Sequence, residues 1–484
     1  MRLFAKGPFL LVGLGSSFAH AQTQTATIPT FQHVVVIVQE NRTPDNLFQG
    51  LCTTPTICST TPTTSQYNIQ RSNWLDNTSN NGGVTQPRPI PLDNTYDLSH
   101  AHSAWVAQCD LDATTGKCKM DGAAGVNCSP KANCPAHPQF KFVDNSTGIL
   151  NPYLTLAKSY GWANYMFQTN QGPSFPAHQF IFGGTSAPSS AEDEAGTFAS
   201  ENMSGTGTGA GCVASEGRLV QLIDSTGTED PNNKIFPCFE HLTVADLSSS
   251  TVSGISWRYY APGQGSIWTA PNAILHICGP VGGNCTASDW IDNVDAKNPA
   301  DFLTDVASPS CRLQQVTWVI PTAANSDHAK SNTGGGPSWV ASLVNAIGNN
   351  PCKNPDGSSF WDTTAIFITW DDWGGWYDHE VPTIEQSPQG GYRLGFRVPL
   401  IVVSAFTPAG LINNSRHDFG SIIRFIEQNF GFTPGQLGFA DHRATTNLTG
   451  FFPLKNARIF STIPGGASAA TFLAQPVVGP DDDN

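Results

Sequence analysis

Residues 31–42 read FQHVVVIVQENR, and this stretch decides the fold. Its first nine residues form a continuous, β-branched apolar run, which predicts a strand buried on both faces, as in a parallel sheet. Similar runs occur at Thr363–Thr369 (TTAIFIT) and Val398–Ser404 (VPLIVVS), and a weaker one at Leu313–Ile320. The sequence therefore predicts a sheet whose strands are buried and largely parallel.

Helical periodicity appears between these runs. It covers Trp339–Ile347 and, more clearly, Gly420–Asn429, where Ile422, Ile423 and Ile426 share one face. Because predicted strands alternate with predicted helices along the chain, we expect an α/β layered domain around the largely parallel sheet.

The chain is acidic, and its charge limits the partners it can have. It has 484 residues and a formal net charge of −14, and 13% of its residues are charged. This balance argues against nucleic acid as a partner, since nucleic-acid binding needs a basic face. It also argues against strong attraction to anionic membranes. A phosphate-binding site in such a protein needs a local positive charge, and a metal ion is a natural source.

The amino terminus has the layout of a cleaved signal peptide. Arg2 and Lys6 precede the apolar run at residues 8–12, and Ala19-His20-Ala21 ends the segment. We therefore predict a signal peptide over residues 1–21 and a single exported domain with insertions over residues 22–484, in the periplasm or the medium. No later stretch approaches the roughly 18 apolar residues of a transmembrane segment.

Twelve cysteines fit an oxidising compartment, where an even count indicates disulfide bonds. No CxxC pair occurs, which disfavours a zinc cluster. The sequence leaves the connectivity open, and pairing between neighbours is the simplest hypothesis. Polar, loop-rich stretches hold most of these cysteines, and we interpret them as disulfide-pinned surface insertions: Cys52–Asn94, Cys109–His137 and Thr185–Gly217. The neighbouring pairs are Cys52/Cys58, Cys109/Cys118, Cys128/Cys134, Cys212/Cys238, Cys278/Cys285 and Cys311/Cys352.

Polar side chains follow two of the buried strands. Glu40 and Asn41 come after the first run, and Asp371 and Asp372 come after the run at 363–369. Ligands of open α/β sheets bind outside the carboxyl ends of the strands, so these four side chains are expected to converge. Their hard oxygen atoms suit Mg²⁺, Ca²⁺ or Mn²⁺, with Zn²⁺ as an alternative. The competing interpretation is that they only form turns and helix caps.

Several motifs resemble those of the phosphoesterase family, which groups bacterial and plant phospholipases C with an acid phosphatase. Residues 40–50 (ENRTPDNLFQG) resemble its ENRSFDxxFG motif, and residues 371–379 (DDWGGWYDH) resemble D(D/E)xGGxxDH. Residues 395–404 (GFRVPLIVVS) resemble GxRVPxxxxS. The motifs follow in family order over nearly the whole chain. The resemblance implies an alkaline-phosphatase-like fold, a three-layer sandwich with a central, largely parallel sheet.

The family's nucleophile lies in a GP(T/S)xPNR segment, which residues 172–178 (GPSFPAH) resemble. The resemblance implies that Ser174 is the nucleophile. Ala177 and His178 stand where the family has Asn and Arg. A bound metal could lower the pKa of the serine hydroxyl enough for attack on phosphorus. Without the resemblance, a serine in a Gly/Pro cluster is equally well a turn residue.

Histidines complete the predicted site. By resemblance, His100 belongs to a DxxH motif, His328 to a DH motif and His379 to the motif at 371–379. Imidazolium groups can stabilise phosphoryl oxygens and protonate a leaving alcohol. His102 is an alternative to His100, and His276 is a further candidate by its position alone.

These inferences predict an exported, metal-dependent phosphoester hydrolase that forms a phosphoserine intermediate. Phospholipids and small phosphomonoesters are kept as equal candidates for the substrate. One alternative is a sulfatase, because residues 174–177 also resemble the sulfatase nucleophile motif, although His178 replaces its arginine. Another is a catalytically inactive, secreted binding protein. Four tryptophans could line an apolar mouth, but we interpret them as packing residues: Trp105, Trp162, Trp268 and Trp290.

Overall fold

A computed structural model describes residues 30–480, apart from residues 55, 201–203, 251–253 and 385–392. The signal peptide predicted over residues 1–21 lies outside the described residues. A single eight-stranded sheet forms the centre of the protein. Its strands are β1 (His33–Gln39), β2 (Gly161–Phe167), β3 (Trp257–Tyr260), β4 (Val294–Asp295), β5 (Val316–Val319), β6 (Thr364–Trp370), β7 (Leu400–Ser404) and β8 (Leu411–Asp418).

The strand order is β4-β3-β5-β1-β6-β7-β2-β8. Strand β1 pairs in parallel with both of its neighbours, β5 and β6. Strand β7 alone runs antiparallel to both of its partners, β6 and β2, and the other pairs are parallel. The prediction of a largely parallel sheet is confirmed, with the run at 398–404 as the antiparallel exception. All seven residues of β1 and of β6 are buried, as their apolar runs predicted.

Helices cover the sheet in two groups. Helix α3 packs against α5, whereas α2 packs against α4. Because β1 and β6 are buried on both faces, the sheet is the middle of three layers, as expected. The helices of eight or more residues are α1 (His102–Cys109), α2 (Asn151–Ser159), α3 (Ser174–Gly183), α4 (Gly336–Gly348) and α5 (Phe419–Asn429).

Shorter elements occupy the connections. The short helices are Pro44–Leu47, Ser190–Ala195, Leu275–Cys278, Ser288–Asn293, Asp301–Val306, Phe360–Thr363, Ala440–Arg443 and Ala469–Leu473. A small separate sheet joins Phe198–Ala199, Ser204–Gly205, Arg218–Ile223 and Glu229–Ile235. No helix within the described residues combines the length and the apolar character that crossing a membrane requires.

Six disulfide bonds pin the insertions. They join the six neighbouring pairs that the simplest hypothesis proposed, so that prediction is confirmed. Five of them close loops of 26 residues or fewer. The sixth, Cys311–Cys352, spans 41 residues and connects the approach to β5 with the segment after α4. This bond therefore restrains the sheet region, whereas the others restrain local loops.

We expect the two kinds of bond to differ in their effect on stability. Chain entropy predicts that removing Cys311–Cys352 by serine substitution lowers the free energy of unfolding by about 4 kcal/mol. Removing Cys52–Cys58, which closes 6 residues, should cost only about 2 kcal/mol. Urea unfolding of the two double variants measures the difference. Equal losses in both variants would contradict the prediction.

Candidate metal centre and active site

The site begins where β1 and β6 end side by side. Gln39 and Trp370 are paired in the parallel register. Glu40 and Asp371 are the next residues of the two strands, and the Asp371 N–H donates to the Gln39 carbonyl at 3.0 Å. Both carboxylates are fully buried. Adjacent parallel strands thus place two acidic groups together at the carboxyl edge of the sheet.

The two loops that follow these strands touch each other directly. The Asn41 N–H donates to Asp371 Oδ1 at 3.1 Å, and the Asp372 N–H donates to the same oxygen at 2.7 Å. Asn41 has a positive φ of 58°, as does Gly374 at 63°. A Cβ at Gly374 would lie 2.4 Å from the Asn41 carbonyl oxygen. A glycine is therefore required at position 374 for the loops to approach.

Helix α3 adds a histidine to the acidic group. His178 Nε2 lies 3.3 Å from Glu40 Oε1 and 3.7 Å from Asp371 Oδ2, and all three side chains are fully buried. Ligand atoms of these three residues all lie within 4.8 Å of one another. The sequence comparison treated His178 only as a replacement for the family arginine. The sequence signal that could have identified His178 as a site residue was its place four residues after Ser174, in the helix that begins at Ser174.

Ser174 is the first residue of α3 and is fully buried. Its Oγ donates to Asp372 Oδ2 at 3.4 Å, while Asp372 Oδ1 accepts from the Gly374 N–H at 2.7 Å. The amino terminus of a helix carries a partial positive charge and unpaired N–H groups, which favour an anion beside it. The serine hydroxyl thus lies between an anion-favouring helix end and the acidic group.

His100 and His328 face each other next to Asn41. Their ring centroids are 5.8 Å apart. His100 Nε2 lies 3.0 Å from Asn41 Nδ2, which only donates, so Nε2 accepts and the proton is on Nδ1, 2.8 Å from the Leu98 carbonyl. His328 Nδ1 likewise donates to the Ala329 carbonyl at 2.7 Å. These contacts orient both rings.

His379 belongs to a different cluster. Its Nδ1 lies 2.6 Å from Asp45 Oδ2, and its Nε2 lies 2.9 Å from Asn68 Oδ1. Arg397 forms two hydrogen bonds with Asp378 in the same cluster. Both ring nitrogens of His379 therefore donate to oxygen atoms, which requires the protonated form. These contacts give no support to its predicted catalytic role and place it in a buried ion-pair network.

The two secondary histidine candidates also lie outside the acidic group. His102 Nδ1 and Nε2 lie 2.8 Å and 3.1 Å from the carbonyl oxygens of Gln171 and Gly227. His276 forms ion pairs with Glu240 and Asp246, and the hydrogen bond to Asp246 raises its pKa to about 9 although burial opposes this. Neither histidine has a described contact with Ser174 or with the carboxylates of Glu40, Asp371 and Asp372.

The residues present fit a divalent cation. Glu40, Asp371 and Asp372 are fully buried, and the His178 ring lies beside the carboxylates of Glu40 and Asp371. Asn41 Oδ1 and Asp371 Oδ2 are buried oxygens that accept no hydrogen bond from the described residues. Burying several carboxylates without a cation is costly. Carboxylate, amide and imidazole groups together are suitable ligands for such an ion.

Fold and site together define a class of protein. It is an α/β protein with a buried carboxylate–histidine group at the carboxyl edge of its sheet and a serine hydroxyl beside that group. The chain belongs to the Phosphoesterase family, whose profile matches residues 31–433. The resemblance inferred from the sequence motifs is thereby confirmed.

Individual relatives are more distant. The chain is 27% identical to phospholipase C B of Mycobacterium tuberculosis over 210 residues, which is 37% of either chain. It is 22% identical to the hemolytic phospholipase C of Pseudomonas aeruginosa over 490 residues, or 90% of this chain and 57% of that one. A solved structure of an alkaline phosphatase superfamily protein from Vibrio parahaemolyticus covers 60% of this chain and 63% of its own, with 11% identity and a TM-score of 0.33.

We predict that Asp371→Asn stabilises the metal-free protein and weakens metal binding. Removing one of several neighbouring buried carboxylate charges should raise the free energy of unfolding in a chelator by about 1 kcal/mol or more. The increase in Tm that Mn²⁺ gives the wild-type protein should be largely lost. As a control, Asp378→Asn removes the shorter of the two ion pairs of Arg397 and leaves the longer one to Asp45, and it should cost about 3 kcal/mol with or without Mn²⁺. A destabilised Asp371→Asn variant in the chelator would contradict the prediction.

The His379 cluster predicts a pH dependence of stability. Burial lowers the pKa of His379, but the Asp45 carboxylate outweighs this and leaves the pKa raised. The stabilisation is therefore present below the ordinary histidine pKa of about 6.5 and is lost as pH rises through the raised value. His379→Gln should flatten this decline in urea unfolding between pH 6 and 9. Burial lowers the pKa of His417 to about 4, so above about pH 7.5 this ring is neutral in both the folded and the unfolded protein, and His417→Gln should keep the wild-type slope there.

Proposed function

We propose that the protein is a metal-dependent phosphoester hydrolase that uses Ser174 as its nucleophile. The observation that carries the proposal is the position of the Ser174 hydroxyl, 3.4 Å from Asp372 Oδ2 at the amino terminus of α3. Asp372 follows Asp371, which belongs to the buried group with Glu40 and His178. Membership of the Phosphoesterase family supports the same chemistry.

The candidate ligands of the metal are the buried side chains at the ends of β1 and β6 together with His178. A bound divalent cation would act as a Lewis acid and favour the ionised form of the serine hydroxyl. With an imidazole among the ligands, Mn²⁺ or Zn²⁺ fits this set better than Mg²⁺ or Ca²⁺. The buried residues that would hold the ion are Glu40, Asn41, His178, Asp371 and Asp372.

The chain's own residues supply the remaining chemistry. Asp372 orients the Ser174 hydroxyl and would accept its proton as the serine oxygen forms a bond to phosphorus and the bond from phosphorus to the leaving oxygen breaks. The Nδ1 of His328 is held by a backbone carbonyl, so its Nε2 is the atom that would deliver a proton to the leaving alcohol. Water then hydrolyses the phosphoserine, which releases phosphate or a phosphomonoester and restores Ser174.

The relatives named phospholipase C favour a phospholipid as the substrate. A small phosphomonoester is the second candidate, because the hydroxyl and its neighbours are fully enclosed and a compact substrate needs less space. A sulfatase activity is less well supported, since His178 contacts Glu40 where the sulfatase motif has an arginine. The six disulfide bonds support export to an oxidising compartment.

Ser174→Ala tests the proposal. We expect hydrolysis of phosphatidylcholine or of p-nitrophenyl phosphate to fall by about 10³-fold or more, because the nucleophile is lost. Metal content and Tm should stay unchanged. Ser342→Ala, which removes another buried hydroxyl on α4, should keep full activity. Retained turnover in Ser174→Ala would refute the nucleophile, and a wild-type protein inactive on both substrates would refute the proposed function.

A further inference from the structure

Trp268 lies against the site, although the sequence suggested only a packing role for it. Its ring centroid is 6.4 Å from that of His178 and 6.1 Å from that of His328. The residue is fully buried and belongs to the long connection between β3 and β4. The backbone N–H of Trp268 donates to Ser266 Oγ at 3.2 Å, and its backbone carbonyl accepts from the Tyr259 hydroxyl at 2.9 Å. These two hydrogen bonds restrain the main chain of Trp268, and the rings of His178 and His328 pack beside its indole.

The contacts of Trp268 complete a closed ring of neighbouring residues at the site. Trp268 lies between two parts of the site. On one side it packs against His178, a candidate metal ligand, and on the other side against His328, which faces His100. Each neighbouring pair in this ring is in contact, by a hydrogen bond, an ion pair or ring packing. In order, the members are Asn41, His100, His328, Trp268, His178 and Asp371, which returns to Asn41.

The indole N–H of Trp268 is a buried donor without a hydrogen-bond partner among the described residues. Buried tryptophans usually find a partner for this group. An indole N–H without a partner does not identify a site by itself, because four other buried tryptophans also have one: Trp105, Trp318, Trp339 and Trp376. Trp268 differs from Trp318 in its surroundings, because the rings around Trp318 are Phe182, Trp257 and Tyr259 of the core.

A phosphoryl group beside Ser174 would need hydrogen-bond donors in addition to the N–H groups at the amino terminus of α3. The acidic side chains of the site accept only when they are ionised. Arg42, the nearest arginine in sequence, is fully buried and donates to Asp327, Leu92, Asn46 and Asn94. The indole N–H is a neutral donor that adds no charge, and a ligand oxygen would satisfy its unmade hydrogen bond.

We infer that Trp268 is a substrate-binding residue whose indole N–H donates to a non-bridging oxygen of the phosphoryl group. This inference rests on the proposed function and adds to it a donor outside the family motifs. Trp268→Phe keeps an aromatic ring and removes the donor. Trp318→Phe is the matched control, because it also removes an unpartnered, buried indole N–H but lies in the core.

The test measures binding of inorganic phosphate to the Mn²⁺-loaded protein by titration calorimetry. A hydrogen bond to a charged oxygen predicts that Trp268→Phe binds phosphate about tenfold more weakly, or worse. Trp318→Phe should bind it as the wild-type protein does. In the wild-type protein, one indole ¹H–¹⁵N signal should move on phosphate addition, and that signal should be absent from Trp268→Phe.

The outcomes separate the inference from the proposed function. Equal phosphate affinity in Trp268→Phe and the wild-type protein, or no moving indole signal, overturns the inference alone. A wild-type protein that binds no phosphate and hydrolyses no phosphoester overturns both. Should Trp268→Phe fail to fold, Trp268→Tyr assigns the indole signal instead, and the shift in the wild-type protein decides the question.

Discussion

The structure depends on negative charge that is concentrated where β1 and β6 end. Glu40, Asp371 and Asp372 have no contact with solvent, and carboxylates repel one another strongly at low dielectric. Backbone N–H groups of Asn41, Asp372 and Gly374 offset part of this charge. The fold therefore keeps an electrostatic cost at one edge of its sheet, and a bound cation would lower that cost.

A second buried carboxylate holds the surrounding loops in place. Asp327 accepts hydrogen bonds from the Tyr153 hydroxyl at 2.9 Å and from Trp370 Nε1 at 3.0 Å. Its carbonyl accepts from Arg42 Nε at 2.8 Å. Burial raises the pKa of Asp327 to about 6. Since these residues are next to His328, Asp371 and Asn41 in the chain, one polar network connects three loops of the candidate site and restrains their positions relative to one another.

The sequence predicted the parts of the fold that have a strong local pattern. β1, β6 and β7 were recognisable because continuous apolar runs need burial on both faces. β8 (LINNSRHD) is polar and β4 has only two residues, so neither has a periodicity that could reveal it. The pairing of β7 was also open, because a run of apolar residues carries no strand direction.

Among the site residues too, the sequence predicted only those contacts that follow from the order of neighbouring strands. Glu40 and Asp371 follow parallel neighbours, so strand ends alone bring them together. His178 was missed because it replaces the arginine of the family motif, and the motif comparison indicated only that the arginine is absent. The contacts of His178 with Glu40 and Asp371 depend on how α3 packs. His379 belongs to the same motif as Asp371, but the chain turns between them, and the His379 side chain contacts Asp45. Such long-range contacts are set by tertiary packing, which short motifs do not encode.

Every disulfide bond in the protein joins a cysteine to the next cysteine along the chain. A polypeptide that is oxidised from its amino terminus as it emerges from a membrane pore meets each correct partner before any wrong one. Thiol exchange between mispaired bridges, which takes seconds to hours, is then not needed. The order of the cysteines thus suits this chain to rapid maturation without a disulfide isomerase.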